Sequence, residues 1–253
     1  MNAIGQKVGS VLFVLLFFLL WEVSCIVFGI SDLVLPRPSA ILFVLYTKGA
    51  AIWPHALATL TTTCLGFVGG VLAGIMLGIL IGYSKLIYDA LYPSLIGFSS
   101  IPKVALIPIL VLWFGAGTWP AVLTAMSMSL FPVVVNVATG LATIEPELKE
   151  IMHVLKAKQL DILWNVSLPR SLPYLFASLK VAITLAFVGA VVSETIASNK
   201  GIGNMMMIAS SNFDVPLTFA GLFVLAAMGV GFYAIFAVLE ARLTGWAQRG
   251  THQ

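Results

Sequence analysis

Charge is scarce in this chain, so each ionisable residue inside an apolar run needs a chemical reason. A charge at the centre of a bilayer costs ~2.5–3.5 kcal/mol on insertion scales, which only a partner or a task offsets. Lys103 stands beside Pro102 in a run interrupted by Ser99, Ser100 and Pro108. Unwound backbone at such a place lines a cavity, and a cation there suits an anionic or strongly polar solute. Glu194 precedes the glycine-rich segment Lys200-Gly201-Ile202-Gly203 and has two readings, a gate residue or a satisfied structural acid. Glu22 reads as a structural partner to a polar group. Lys180 lies a turn or two into its run, where a long stem lets its head reach the surface. Asn136 and Thr184 are milder candidates for a solute pathway.

Other chemistries lack their residues. No GxxxxGK[ST] is present to cradle ATP phosphates, and Gly115-Ala116-Gly117 and Gly201-Ile202-Gly203 are loop glycines rather than nucleotide fingerprints. Cys25 and Cys64 lie in apolar runs as small hydrophobes, and no CxxC or His/Cys cluster suggests a metal. His55, His153 and His252 fall in loops or tails, which disfavours an intramembrane enzyme. The net charge of +3, with no basic patch interleaved with aromatics, gives no footprint for nucleic acid.

The elements that must position these residues are apolar helices. The hydrophobic fraction is 60% and the mean hydropathy +1.06, and several apolar runs reach about 20 residues, the length that crosses ~30 Å of hydrocarbon. The runs are continuous rather than alternating, so the fold class is an all-α polytopic membrane protein and not a β-barrel. Residues 1–253 read as one transmembrane domain with six spans, near 10–30, 56–82, 86–114, 119–143, 171–197 and 216–244. The first run is too long for a signal h-region and no small-x-small site follows it, so a retained helix is expected. LPRPSAILFVLYTKGA reads as a turn and a short helix along the interface. Pro102 and Pro108 predict a kinked or broken third span.

Lys7, Lys85, Lys149, Lys156, Lys158, Arg170, Arg242 and Arg249 fall on one side of these spans, and only Arg37, Lys48 and Lys200 on the other. The positive-inside rule then places both termini in the cytoplasm. Within the second span Gly66, Gly70, Gly74, Gly78 and Gly82 recur at a strict four-residue spacing. They form a smooth stripe for close helix packing.

The segment 145–170 between helices four and five leaves the membrane. It holds Glu145, Glu147, Lys149, Glu150, Lys156, Lys158, Asp161 and Arg170. Leu148, Ile151, Met152 and Leu155 fall on one helical face, and Leu160, Leu163 and Trp164 continue the stripe. Leu168-Pro169-Arg170-Ser171 breaks it, with Ser171 placed to cap the next span. One reading is an interfacial hairpin that joins two spans. The other is a pair of short amphipathic helices seated in a partner's groove.

This segment resembles the EAA loop of permease subunits from ABC importers, whose pattern is E-A-A, three residues, G, nine residues, I-x-L-P. Glu150 takes the Glu position and Val166-Ser167-Leu168-Pro169 the end, while Ile151 and Met152 replace the alanines and Lys156 the glycine. Trp21-Glu22, Leu35-Pro36-Arg37-Pro38-Ser39, Ile101-Pro102, Ile107-Pro108, Leu112-Trp113-Phe114-Gly115 and Ser193-Glu194 with Lys200-Gly201-Ile202-Gly203 are similar to the nitrate/sulfonate/taurine branch of that family. The resemblance implies a bacterial inner-membrane subunit working with two ATPases, a second permease copy, simplest as a homodimer, and an extracytoplasmic binding protein. It implies that the partner ATPase binds ATP and Mg, with no cofactor in this chain. Glu150, Leu155, Lys156, Ala157 and Asp161 would then couple ATP hydrolysis to the spans. The branch imports nitrate, sulfonates and taurine, and relatives take thiamin-pyrimidine precursors or riboflavin. The rival is an ATP-independent secondary transporter or channel, for which internal repeats or embedded proton-carrying acids would be expected.

Overall fold

A computed structural model describes residues 3–142, 154 and 168–243, and every regular element among them is helical. The chain runs through α1 (Ala3–Val27), α2 (Pro38–Gly82), α3 (Lys85–Ser99), a 3-10 turn (Lys103–Leu106), α4 (Ile107–Phe114), α5 (Thr118–Ala142), α6 (Leu168–Ala197), α7 (Ile202–Ser211) and α8 (Val215–Leu243). Five helices are long and apolar enough to cross a membrane, and the bent pair α3–α4 makes a sixth candidate.

The third span is broken where the prolines predict. Its two halves meet at 74° across Ser100–Pro102. Pro102 denies the backbone a donor and its ring pushes Ile101 out of the helical region. The α3 carbonyls left open at that end need partners.

The structure corrects two boundaries. In the stretch read as a turn and a separate surface helix, residues 35–37 do precede the helix, but residues 38–50 are the first part of α2, a single 45-residue helix with Pro54 inside it. Proline fits helical φ, so the helix continues and loses only the hydrogen bond that residue 54 would donate. Such a helix is ~67 Å long, more than twice the hydrocarbon thickness. Likewise α6 already begins at Leu168, with Pro169 in its first turn where a missing N–H costs nothing. Ser171 therefore lies inside the helix rather than at its cap.

The core is built around α5, which packs on α2 along one side and on α6 along the other. The five glycines of α2 face α5 with constant register. A Cβ added at Gly74 would sit 2.8 Å from the Val133 Cβ, at Gly78 2.7 Å from the Val137 Cβ, and at Gly82 2.9 Å from the Leu141 Cβ. Gly66 and Gly70 meet Ala125 and Ser129 in the same way, each α5 residue 59 positions further along. A constant offset means that the helices run parallel. Without Cβ atoms the backbones approach closely enough for dispersion to replace the hydrophobic effect, which is absent in lipid. Ala182, Ile183, Ala186 and Ala190 bring the matching small face of α6 to the same core.

Candidate functional site

The break in the third span places Lys103 directly after the C-terminal end of α3. Its ammonium donates to the carbonyl of Ser99, the last residue of α3, and lies 4.7 Å from the centre of the Phe131 ring. A cation at a helix C-terminus satisfies an open carbonyl and complements the dipole, and the ring face adds a cation–π contact. These interactions hold the lysine, half-buried, on the wall of a ~410 Å³ groove lined by Ser99, Lys103, Met128, Phe131, Pro132, Val135, Asn136 and Leu185. Asn136 anchors its amide on the Pro132 carbonyl at 2.8 Å, which leaves its side-chain oxygen as a further polar group at the groove. An ammonium has three donors, so the site holds a cation with capacity beyond its internal partners. Lys103 and Asn136 therefore meet in one cavity, between the broken span and α5.

Glu194 sits at the other end of the bundle in a different environment. Its side chain is 1% exposed. One carboxylate oxygen accepts from the Thr59 hydroxyl at 2.7 Å and the Gly203 N–H at 3.3 Å, and the other from the Thr62 hydroxyl at 3.1 Å. Thr59 in turn accepts from the Ile202 N–H at 2.8 Å. The first two N–H groups of α7 thus end on one acid and one hydroxyl, as an N-cap residue would arrange them. Gly201, at φ 104°, leaves no room for a Cβ beside that carboxylate. The acid forms part of the wall of a second cavity of ~330 Å³, with Pro54, Thr61, Thr62, Thr118, Ser198 and Lys200 also on it. Thr118 and Phe131 are thirteen positions apart on α5, which separates the two cavities by ~20 Å along the bundle.

Thr184 falls on an exposed face of α6, its hydroxyl turned back to the Lys180 carbonyl at 2.9 Å, and it is not among the residues of either cavity. Glu22 accepts from the Ser39 N–H at 3.0 Å and the Ser39 hydroxyl at 2.7 Å, so it anchors the first turn of α2. Lys180 forms an ion pair with Glu240 of α8 rather than only reaching for the surface. Glu150, Leu155, Lys156, Ala157 and Asp161 lie outside the described residues. The sequence reading missed Phe131, Thr59, Thr62 and the Lys48–Asp214 ion pair at 2.7 Å. Phe131 carries a faint signal as an aromatic next to Pro132. The threonines look like ordinary polar relief in an apolar run.

Comparison with known proteins places these features in a family. Residues 70–245 match the family described as binding-protein-dependent transport system inner membrane component. The chain is 30% identical to the formylaminopyrimidine transport permease protein of Halalkalibacterium halodurans over 96% of its length and 98% of the relative's. It is 31% identical to the riboflavin transport system permease protein of Chloroflexus aurantiacus, covering 92% and 87%. It is 29% identical to the taurine transport system permease protein of Escherichia coli, covering 86% and 82%. Among solved structures it resembles a chain of the MetNI methionine ABC transporter in an inward-facing conformation, with a TM-score of 0.61 at 18% identity, covering 79% of this chain and 97% of that one.

Proposed function

The chain belongs to the family of binding-protein-dependent transport system inner membrane components and is a translocation subunit of an ABC importer; from that premise we propose that its solute passes the Lys103–Asn136 groove and is a small anionic or polar organic molecule. The observation that carries this reading is the half-buried ammonium at the 74° break, held by Ser99 and Phe131 on the wall of a ~410 Å³ cavity. A cavity of that size takes a solute of the class named for the relatives, among them formylaminopyrimidine, taurine and aliphatic sulfonates. An external binding protein delivers the solute. A second copy of this chain completes the pathway as a homodimer, and both termini face the cytoplasm, in keeping with the basic residues of that side.

ATP and Mg are bound by two partner ATPase subunits, since this sequence has no phosphate-cradling loop. The segment 145–170 seats its apolar stripe in a groove of each ATPase, and Glu150, Leu155, Lys156, Ala157 and Asp161 carry nucleotide-driven closure into α5 and α6. Reversing a two-state balance from 1:99 to 99:1 takes about 5.5 kcal/mol of differential binding, which a charged amphipathic contact at two ATPases can transmit. The direct experiment is purification from bacterial membranes in mild detergent. The wild-type chain should bring down an ATPase, and Lys156→Glu combined with Asp161→Lys should lose it or uncouple hydrolysis from uptake. A wild-type chain with no ATPase partner would overturn the importer reading, and a charge-reversed chain with full transport would overturn the docking role of the loop.

A further inference from the structure

Pro54 is a weak point in α2, because the helix lacks the hydrogen bond that residue 54 would donate to the turn before it. A second helix crosses the spot. The N-terminal end of α7 is fixed to α2 after the proline: the Ile202 N–H donates to Thr59, Thr59 donates to Glu194, and His55 Nδ1 is 3.1 Å from the Gly201 carbonyl. The far end of α7 is fixed before the proline, where Lys48 pairs at 2.7 Å with Asp214, three residues past Ser211. Between these clasps Ile52 packs in one buried cluster with Ile202 and Met205. Lys48 to Thr59 spans ~16 Å of α2 and the ten residues of α7 span ~15 Å, so α7 lies antiparallel along the segment that contains Pro54.

We propose that α7 is a splint across a Pro54 hinge in α2, and that flexing of this hinge is a step in the transport cycle. Glu194, Thr59, Lys48 and Asp214 are positioning residues that hold the splint. The inference rests on the importer reading, which supplies the ATP-driven cycle. Three features mark a hinge rather than a rigid joint. The backbone bond is missing at one point, and kinks in helices concentrate at proline. Pro54 and Glu194 both border the ~330 Å³ cavity, so there is open space beside the proline. The two clasps differ in strength: the Glu194 network is buried, while the Lys48–Asp214 pair has side chains 46% and 32% exposed, where an ion pair is weak and screened by salt. The polar clasp after the proline is thus buried and the one before it exposed, and Ile41 and Ile52 of the segment before the proline share one buried cluster with Ile202, Met205 and Ala220. A swing of the N-terminal part of α2 about Pro54 would leave the α2–α5 glycine seam, which begins at Gly66, intact.

The test uses the permease–ATPase complex in lipid nanodiscs with Mg-ATP as the probe, so no solute need be known. Cys25 and Cys64 are replaced by Ala, and Lys48→Cys with Asp214→Cys is bridged by a short bis-methanethiosulfonate linker. Bridging should lower ATP turnover about tenfold, equivalent to ~1.4 kcal/mol on the barrier, and reductant should restore it. Pro54→Ala, which returns the missing N–H, should also slow turnover several-fold while raising the thermal midpoint; a merely structural proline would not couple higher stability to a slower cycle. Turnover that is the same bridged and reduced, or a Pro54→Ala complex that turns over as fast as wild type, would overturn the splint. Absence of any ATP turnover before bridging would instead overturn the importer reading beneath it.

Discussion

Glu194 and Lys103 answer the same problem, a charge within an apolar span, in opposite ways. Both carboxylate oxygens of Glu194 are engaged by residues from α2 and α7, and its side chain is 1% exposed. Lys103 has one carbonyl and one ring face, and borders open space. A saturated buried charge behaves as structure, because groups around it, here the Thr59 hydroxyl and the Gly203 N–H, depend on it for a hydrogen bond. A charge with spare donors at a cavity is available to a ligand. The two regions therefore separate what holds this permease together from what its solute meets on the proposed reading.

Breaking the saturated region should have the largest effect. Glu194→Ala leaves the Gly203 N–H and the Thr59 hydroxyl without their acceptor, while the Thr62 hydroxyl keeps the Ala58 carbonyl, at ~1–3 kcal/mol for each buried group left unpaired. Thermal unfolding in detergent should show a loss of about 3 kcal/mol or failure to accumulate in the membrane, whereas Glu194→Gln should lose only about 1 kcal/mol, since the Thr62 hydroxyl can turn from donor to acceptor. A smaller loss is expected at the glycine seam. Gly74→Ala drives a Cβ to 2.8 Å from the Val133 Cβ and should cost about 2 kcal/mol by overpacking. Gly69→Ala meets only the flexible Met126 side chain, its sulfur nearest at 3.4 Å, and should stay within about 0.5 kcal/mol of wild type. The open region should respond in activity rather than stability. Lys103→Met should leave the unfolding midpoint in place and lower uptake of the solute carried by the partner binding protein about tenfold, or ~1.4 kcal/mol. Among the variants expected to lose stability, the smallest loss should come from Ser39→Ala, which removes one hydroxyl bond to Glu22 and should cost about 0.5–1 kcal/mol.

Much of the scaffold is legible in single residues. The strict recurrence of Gly66 to Gly82 marks a packing face before any partner is known, because only a helix–helix seam needs small residues every fourth position. Pro102 beside Lys103 marks the broken span, since proline chemistry acts locally. The partners of the buried charges are not legible. Thr59 and Glu194 are 135 positions apart, and Lys48 and Asp214 are 166 apart. Such contacts follow from how the bundle closes, and a threonine in an apolar run has the same local signature whether or not an acid lies opposite. The continuity of α2 through Pro54 was hidden for a related reason. A proline reads as a boundary unless tertiary packing, here by α7, keeps the helix going. Asn136 could be joined to Lys103 only once α5 was placed against the break, and Thr184 shares their polarity but not their cavity.

Cysteine accessibility tests the central distinction between an open groove and a saturated cluster most directly. In the permease–ATPase complex with Cys25 and Cys64 replaced by Ala, single variants Lys103→Cys, Asn136→Cys and Ser193→Cys would be treated with a water-soluble anionic thiosulfonate, with and without Mg-ATP. Ser193 is fully buried beside Glu194. The account predicts modification at 103 and 136, with a rate that changes with nucleotide, and none at 193. Silence at 103 and 136 in both nucleotide states, with ready modification at 193, would contradict it.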